Sequence, residues 1–351
     1  MKKYIHIGFP KNFSTSLQRY YFSKNPNIYH LGVGCNDNNL GYIDTNISVA
    51  MELYLRFAKD SVYKNKKEQI KKYFTYHFLL AKEKRGIKAV GISNEHMSFN
   101  FTPDGIDTSQ KAYRLAEIFG KNTIIIMIIR NQMDLVRSLY RECLRIGYPY
   151  DYFRYIEYLY KFHERNFASD FFFDVTFDLY GKLFGKKNIY LLVMENFRKS
   201  GKLVKTEDGM IKLTCELNKC LGIEHVDIPF GHYNEALTDA ELFYKYRLNS
   251  KNRHDLGNSI YSSAEVHRIR QYYLDYLKIS PPQEDDDWRI KWNNIEKAKK
   301  QACTIKGEKP ILDYACDSKI EERLYLLYAQ SNMRLSKMTG INLYELGYPM
   351  Q

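Results

Sequence analysis

The stretch from Asn122 to Ile129 limits more than any other what this chain can become. Residues Ile124 to Ile129 are all aliphatic or Met, so a strand built from them shows no polar face to water. Burial on both faces belongs to a central strand of a parallel sheet, with helices packed above and below. The run is far shorter than the ~20 apolar residues needed to span a bilayer. It ends at Arg130-Asn131 and leads into a helical pattern from Met133 to about Ile146.

Elsewhere strand and helix patterns alternate. Tyr4 to Gly8 reads as a short buried strand, Pro10 to Thr15 as a loop, and Ser16 to Phe22 as the helix it feeds. Ile87 to Ile92 reads as another strand, ending at Ser93-Asn94-Glu95-His96. Asp107 to Phe119 follows as a helix with Asp107 or Thr108 as its N-cap. Tyr150 to Asn166 is amphipathic at helical spacing. Asn188 to Met194 reads as a buried strand, and Leu213 to Leu221 as a helix closed by Gly222. This order predicts an α/β three-layer sandwich with a central, mostly parallel sheet. Residues 46–86 read as a helical insertion on the flank of the sheet, and about 240–351 as a helical C-terminal region with a last helix over Ile320 to Met338. Pro281 to Asp287 reads as a linker or exposed turn. One domain over 1–351 is expected.

With 351 residues, 44% of them hydrophobic, the chain can bury a sizeable core. Its 31 Tyr recur mostly at helical spacing, so core packing explains them better than sugar platforms do. Lys and Arg number 53 against 41 Asp and Glu, a net charge of +12 that attracts anions of many kinds. The basic residues are scattered, which argues against nucleic acid as the partner. The six cysteines lack zinc-knuckle or redox spacing and read as reduced structural thiols, and no metal is expected. Met1-Lys2-Lys3 enters the first strand at once. With a mean hydropathy of −0.50, this predicts a cytoplasmic protein with no integral membrane segment.

Chemistry is concentrated in Gly8-Phe9-Pro10-Lys11-Asn12-Phe13-Ser14-Thr15-Ser16-Leu17. A strand, a tight turn with Lys, and hydroxyl residues opening a helix form the layout of a phosphate site. Backbone N–H groups face the anion, and the ammonium and hydroxyls complete the cradle. ATP and GTP loops place Lys immediately before Ser or Thr and after a second Gly. Here Lys11 precedes Ser14 by three residues and there is no second Gly, which disfavours a P-loop-like kinase or NTPase.

The loop resembles the 5′-phosphosulfate loop of the sulfotransferase family, close to P-K-x-G-T-T-[ST]-L, through Pro10, Lys11, Ser14, Thr15, Ser16 and Leu17. Phe13 stands where the family usually has Gly. A Phe tolerates positive φ poorly, so the loop must turn to negative φ there or carry strain. The segment Arg130-Asn131-Gln132 to Ser138-Leu139-Tyr140 resembles the family's 3′-phosphate element, with Gln132 in place of Pro. The late strand with Glu195, the segment His232-Tyr233-Asn234, and the C-terminal stretch through Pro349 are similar to bacterial carbohydrate-type members.

The resemblance implies a sulfotransferase that uses 3′-phosphoadenosine 5′-phosphosulfate (PAPS) as donor. Lys11, Asn12, Phe13, Ser14, Thr15 and Ser16 would hold the 5′-phosphosulfate, and Arg130 and Ser138 the 3′-phosphate. The acceptor implied is a hydroxyl on a glycan, a glycolipid or another small hydroxyl compound. Lys11 is then the charge on the leaving oxygen. Glu95 and His96, at the tip of a strand, are the candidate bases. A binding protein for anionic glycans or nucleic acid, with no chemistry of its own, is the reading from a different class.

Overall fold

The computed structural model describes residues 1–33, 41–100, 106–197, 207–226, 237–251, 287–305, 307–315 and 318–350. The segment His232-Tyr233-Asn234 and the linker over residues 281–286 lie outside them.

Among the described residues five parallel strands form the sheet in the order β2-β3-β1-β4-β5: β1 (Lys2–His6), β2 (Ile28–Val33), β3 (Ala89–Ser93), β4 (Thr123–Ile129) and β5 (Ile189–Val193). Every residue of β4 is buried, as its sequence requires. Alternate β4 residues feed two separate cores. Ile124, Ile126 and Ile128 join Tyr4, Leu17 and Leu217 on one face; Ile125, Met127 and Ile129 join Ile5, Leu115 and Leu139 on the other. The sheet is therefore the middle of three layers. The sequence reading of β5 as buried needs correction: β5 is an edge strand, and Tyr190 is half-exposed.

The helices are α1 (Ser14–Ser16), continued without a break by a π-helical stretch Leu17–Phe22; α2 (Thr45–Val49), continued likewise over Ala50–Tyr54; and α3 (Asp60–Glu83). After β3 come α4 (Thr108–Phe119), α5 (Gln132–Ile146), α6 (Tyr152–Lys161) and α7 (Phe173–Phe184). Beyond β5 lie α8 (Glu207–Leu221), α9 (Asp239–Ser250), α10 (Asp287–Cys303) and α11 (Ser318–Thr339). Residues 45–83 connect β2 to β3, and Tyr63, Ile70 and Phe74 of α3 enter the main core.

The strand order places the reversal of direction at β1: the chain first leaves to the β2 side, then crosses from β3 to β4 on the other side of β1. In open α/β sheets a ligand crevice opens there, at the carboxyl ends of the strands. The loop after β1, the turn after β3 and the Arg130-Asn131 corner after β4 all meet at that edge.

Candidate functional site

Past His6 the backbone stays on β4. The Ile7 amide donates to the Ile126 carbonyl (3.0 Å) and the Phe9 amide to the Ile128 carbonyl (3.3 Å). Gly8 is required because a Cβ there would lie 2.6 Å from Nε2 of the buried His6. Phe9 is fully buried, its ring centroid 4.7 Å from that of Phe173. The chain then turns through two left-handed residues, Lys11 (φ 62°) and Phe13 (φ 61°), with Asn12 between them. Backbone of this kind gathers N–H groups into an anion-binding concavity. Phe13 thus takes the strained alternative: the loop keeps the geometry that Gly would give, at a cost of roughly 1–2 kcal/mol for a residue with a Cβ. The half-buried Phe13 ring packs on the Tyr4–Leu17–Phe22 core, which offsets part of that cost.

Asn12 and Ser14 are buried beneath this turn. Asn12 donates from Nδ2 to the Ile128 carbonyl (2.8 Å), while its Oδ1 and the Ser14 Oγ have no hydrogen-bond partner. Thr15 and Ser16 are half-buried at the start of the helix. Buried polar atoms are nearly always satisfied, so two orphans at one loop point to a missing partner.

At the end of β4, Asn131 caps α5 by accepting from the Met133 amide (2.9 Å), and its own amide donates to Glu195 Oε1 (3.0 Å). Glu195 Oε2 accepts from the Tyr348 hydroxyl (2.8 Å), so the acidic residue after β5 ties two strand ends to the C-terminal stretch. Gln132 opens α5 where a Pro would also fit. Its buried amide pairs with Asn332 of α11 (2.8 and 3.1 Å), a contact that Pro could not make. Arg130 is largely buried and lies 3.6 Å from Asp134, one turn into α5.

Asp134, Ser138 and Glu142 follow at four-residue spacing and share one face of α5. At the far end of that face Lys11 Nζ meets Glu142 Oε2 at 3.2 Å. The loop ammonium therefore stands one helical turn from Ser138. Burial alone would raise the Glu142 carboxyl, but Lys11 and Arg145 outweigh it and hold it at about 2. Sequence reasoning missed Glu142, although the Ser138-to-Glu142 spacing was a signal for it.

Glu95 and His96 occupy a short 3-10 turn, Glu95–Met97, after β3. Both are half-buried. Asn94 caps the turn, its Oδ1 accepting from the His96 amide (2.9 Å), and its Nδ2 donates to the Tyr42 hydroxyl (3.0 Å) and Glu52 (3.2 Å). The Met97 carbonyl accepts from the Tyr180 hydroxyl of α7 (2.9 Å). Buried Lys111 of α4 donates to the His96 carbonyl (2.6 Å) and the Phe99 carbonyl (3.2 Å). Ser98 joins the turn to the loop: its hydroxyl donates to the Ile7 carbonyl, with that of Gly8 at 3.3 Å. The fold thus brings the Glu95–His96 turn against the Gly8 end of the loop, and Lys11 against α5.

Among the described residues no group of His, Cys, Asp and Glu could hold a metal ion. None of their helices is long and apolar enough to cross a membrane. No family model and no curated protein matches the sequence. Among solved structures, the chain is similar to the crystal structure of a sulfotransferase from Alicyclobacillus acidocaldarius. Identity is 15%, over 82% of this chain and 99% of that one, with a TM-score of 0.43.

Proposed function

We propose that this chain is a sulfotransferase moving a sulfuryl group from PAPS to an acceptor hydroxyl, on a glycan, a glycolipid or another small hydroxyl compound. The observation that carries the reading is the contact between Lys11 and Glu142. It brings the phosphate loop onto the α5 face that bears Ser138 and begins at Arg130. Two anion-binding elements far apart in sequence then face one crevice, as a nucleotide with both a 5′ and a 3′ phosphate group requires.

The residues suit that donor. The left-handed loop and the orphaned Ser14 hydroxyl fit the 5′-phosphosulfate, with Thr15 and Ser16 beside it. Arg130 and Ser138 fit the 3′-phosphate through a charge-assisted bond and a hydroxyl donor. In the transfer, the sulfur–oxygen bond to the 5′-phosphate breaks as the acceptor oxygen bonds to sulfur. Lys11 gives up Glu142 and stands against the charge growing on the leaving phosphate oxygen. The acceptor proton passes to Glu95 or His96, which the clamped turn holds beside the loop. The strained φ of Phe13 supports a working loop over a decayed one, because a sequence released from anion binding has no reason to keep a costly backbone there.

Incubation with sulfur-labelled PAPS and a panel of glycan, glycolipid and phenol acceptors tests the reading. Label should pass to one hydroxyl class and not in Lys11→Ala. A protein that binds the nucleotide yet labels no acceptor would instead be the non-catalytic binding protein.

A further inference from the structure

The turn that carries Glu95 and His96 hangs on a buried cation. Lys111 sits in the first turn of α4, where the helix dipole disfavours positive charge, and it is only 1% exposed. Placing an ammonium there is costly on both counts. All three of its N–H groups are used: on the His96 carbonyl (2.6 Å), on the Phe99 carbonyl (3.2 Å) and on Asn100 Oδ1. From the other side Asp170 accepts from the Asn100 amide (2.8 Å). Lys111 therefore grips both ends of the segment from His96 to Asn100.

We propose that Lys111 is a positioning residue for the transfer described above, its ammonium fixing the peptide planes of the Glu95–His96 turn and thereby the reach of the base toward the acceptor. The proposal rests on that functional reading for its chemistry and on the three hydrogen bonds for its geometry. The charged groups facing Lys111 are Arg56 and Glu52 from the α2 side, Asp107 at the cap of α4, and Asp170 before α7. Burial first, then Arg56, pulls Lys111 down to about 7, against the three carboxylates that raise it. Burial pushes Asp170 up into the same range, so Lys111 and Asp170 titrate as one pair, and the hold on the turn rests on the three hydrogen bonds.

Two variants and two readouts test this. Lys111→Met keeps the volume of the stem and removes every donor, while Lys111→Arg keeps the charge. Lys111→Met should bind 3′-phosphoadenosine 5′-phosphate within about threefold of wild type yet transfer about 10²-fold more slowly. Lys111→Arg should recover at least about tenfold of that loss. The Met97 and Ser98 amides, which bond within the turn, should exchange with solvent faster in Lys111→Met. Wild-type turnover and wild-type exchange in Lys111→Met overturn the proposal.

If Lys111→Met does not fold, Lys111→Gln, which leaves one neutral amide in place of the ammonium, decides: it should bind 3′-phosphoadenosine 5′-phosphate within about threefold of wild type, yet lose transfer and the protection of those two amides. Wild-type turnover and wild-type exchange in Lys111→Gln overturn the role given to Lys111. Loss of the functional reading is a separate result: no nucleotide binding and no transfer by the native protein, with the exchange data still deciding what Lys111 does.

Discussion

The loop after β1 and the turn after β3 lie side by side at the carboxyl end of the sheet, joined by Ser98, yet they are held in opposite ways. The loop keeps two left-handed residues and two buried polar atoms without partners. In the turn, the carbonyls of Glu95, His96, Met97 and Phe99 all accept hydrogen bonds, from the Ser98 amide, Lys111 and Tyr180. A backbone that leaves groups unpaired and stays strained is prepared for something outside the protein. One whose carbonyls are paired internally is a platform. Under the proposed function the two would divide the work: the loop would change partners on binding, and the turn would hold Glu95 and His96 in place.

Changing residues on each side should separate them. The largest effect is expected in the cradle: Lys11→Ala should lower kcat by about 10²–10³ with a much smaller loss of stability, because Lys11 itself is exposed and Arg145 still pairs with Glu142 when it is gone. Steady-state rates and thermal melts of one preparation check both halves. A stability loss as large as the activity loss would make the loop part of the scaffold.

His6 underlies both regions, its Nδ1 against Ser93 Oγ (2.6 Å) and its Nε2 beneath Gly8. Burial pulls its pKa from 6.5 down to about 3. Below pH 6.5 the unfolded chain therefore takes up a proton that the folded one refuses. This residue should cost about 1.4 kcal/mol per pH unit as pH falls from there, and nothing above it. Urea melts across that range in native protein and His6→Phe should show the slope in the former and a smaller slope in the latter.

Ser98→Ala cuts the link between platform and cradle and should destabilise by about 1–2 kcal/mol, since it leaves the buried Ile7 carbonyl short of a donor. Equilibrium denaturation reads this, and a neutral result would mean that the two regions stand independently. The smallest effect separates strain from packing in the loop. Phe13→Gly relieves the left-handed backbone but loses the ring, and should change stability by less than about 1 kcal/mol. Phe13→Ala loses the ring and keeps the strain, so it should be the less stable of the two, the reverse of the usual order of these residues. Paired melts decide it.

What the sequence made legible follows from where the constraint was local. The apolar run of β4 announced its burial, and the α4 and α5 patterns ended within a residue or two of the observed bounds. β2, with Gly32 and His30 inside it, has no clean period, and the Phe-rich α7 offers no sharp polar face; both were passed over. Lys11, Asn12, Ser14 and Arg130 stood out because they follow a spacing that phosphate sites use, and the structure brings the loop of the first three onto α5 while Arg130 stands just before that helix. Lys111 and Ser98 did not, because their partners are backbone carbonyls 15 and 91 residues away that leave no trace in side-chain pattern; Glu142 was signalled only by its four-residue spacing from Ser138, its partner Lys11 lying 131 residues away. Gln132 read as a departure from a motif; its meaning lies in Asn332, 200 residues on.

Calorimetric titration with 3′-phosphoadenosine 5′-phosphate, alone and against ATP, tests the central claim most directly. Binding in the micromolar range or tighter, not displaced by ATP and weakened about 10–100-fold in Arg130→Ala, is expected from a charge-assisted bond to the 3′-phosphate. No binding, or binding that ATP displaces and Arg130→Ala leaves unchanged, would contradict it.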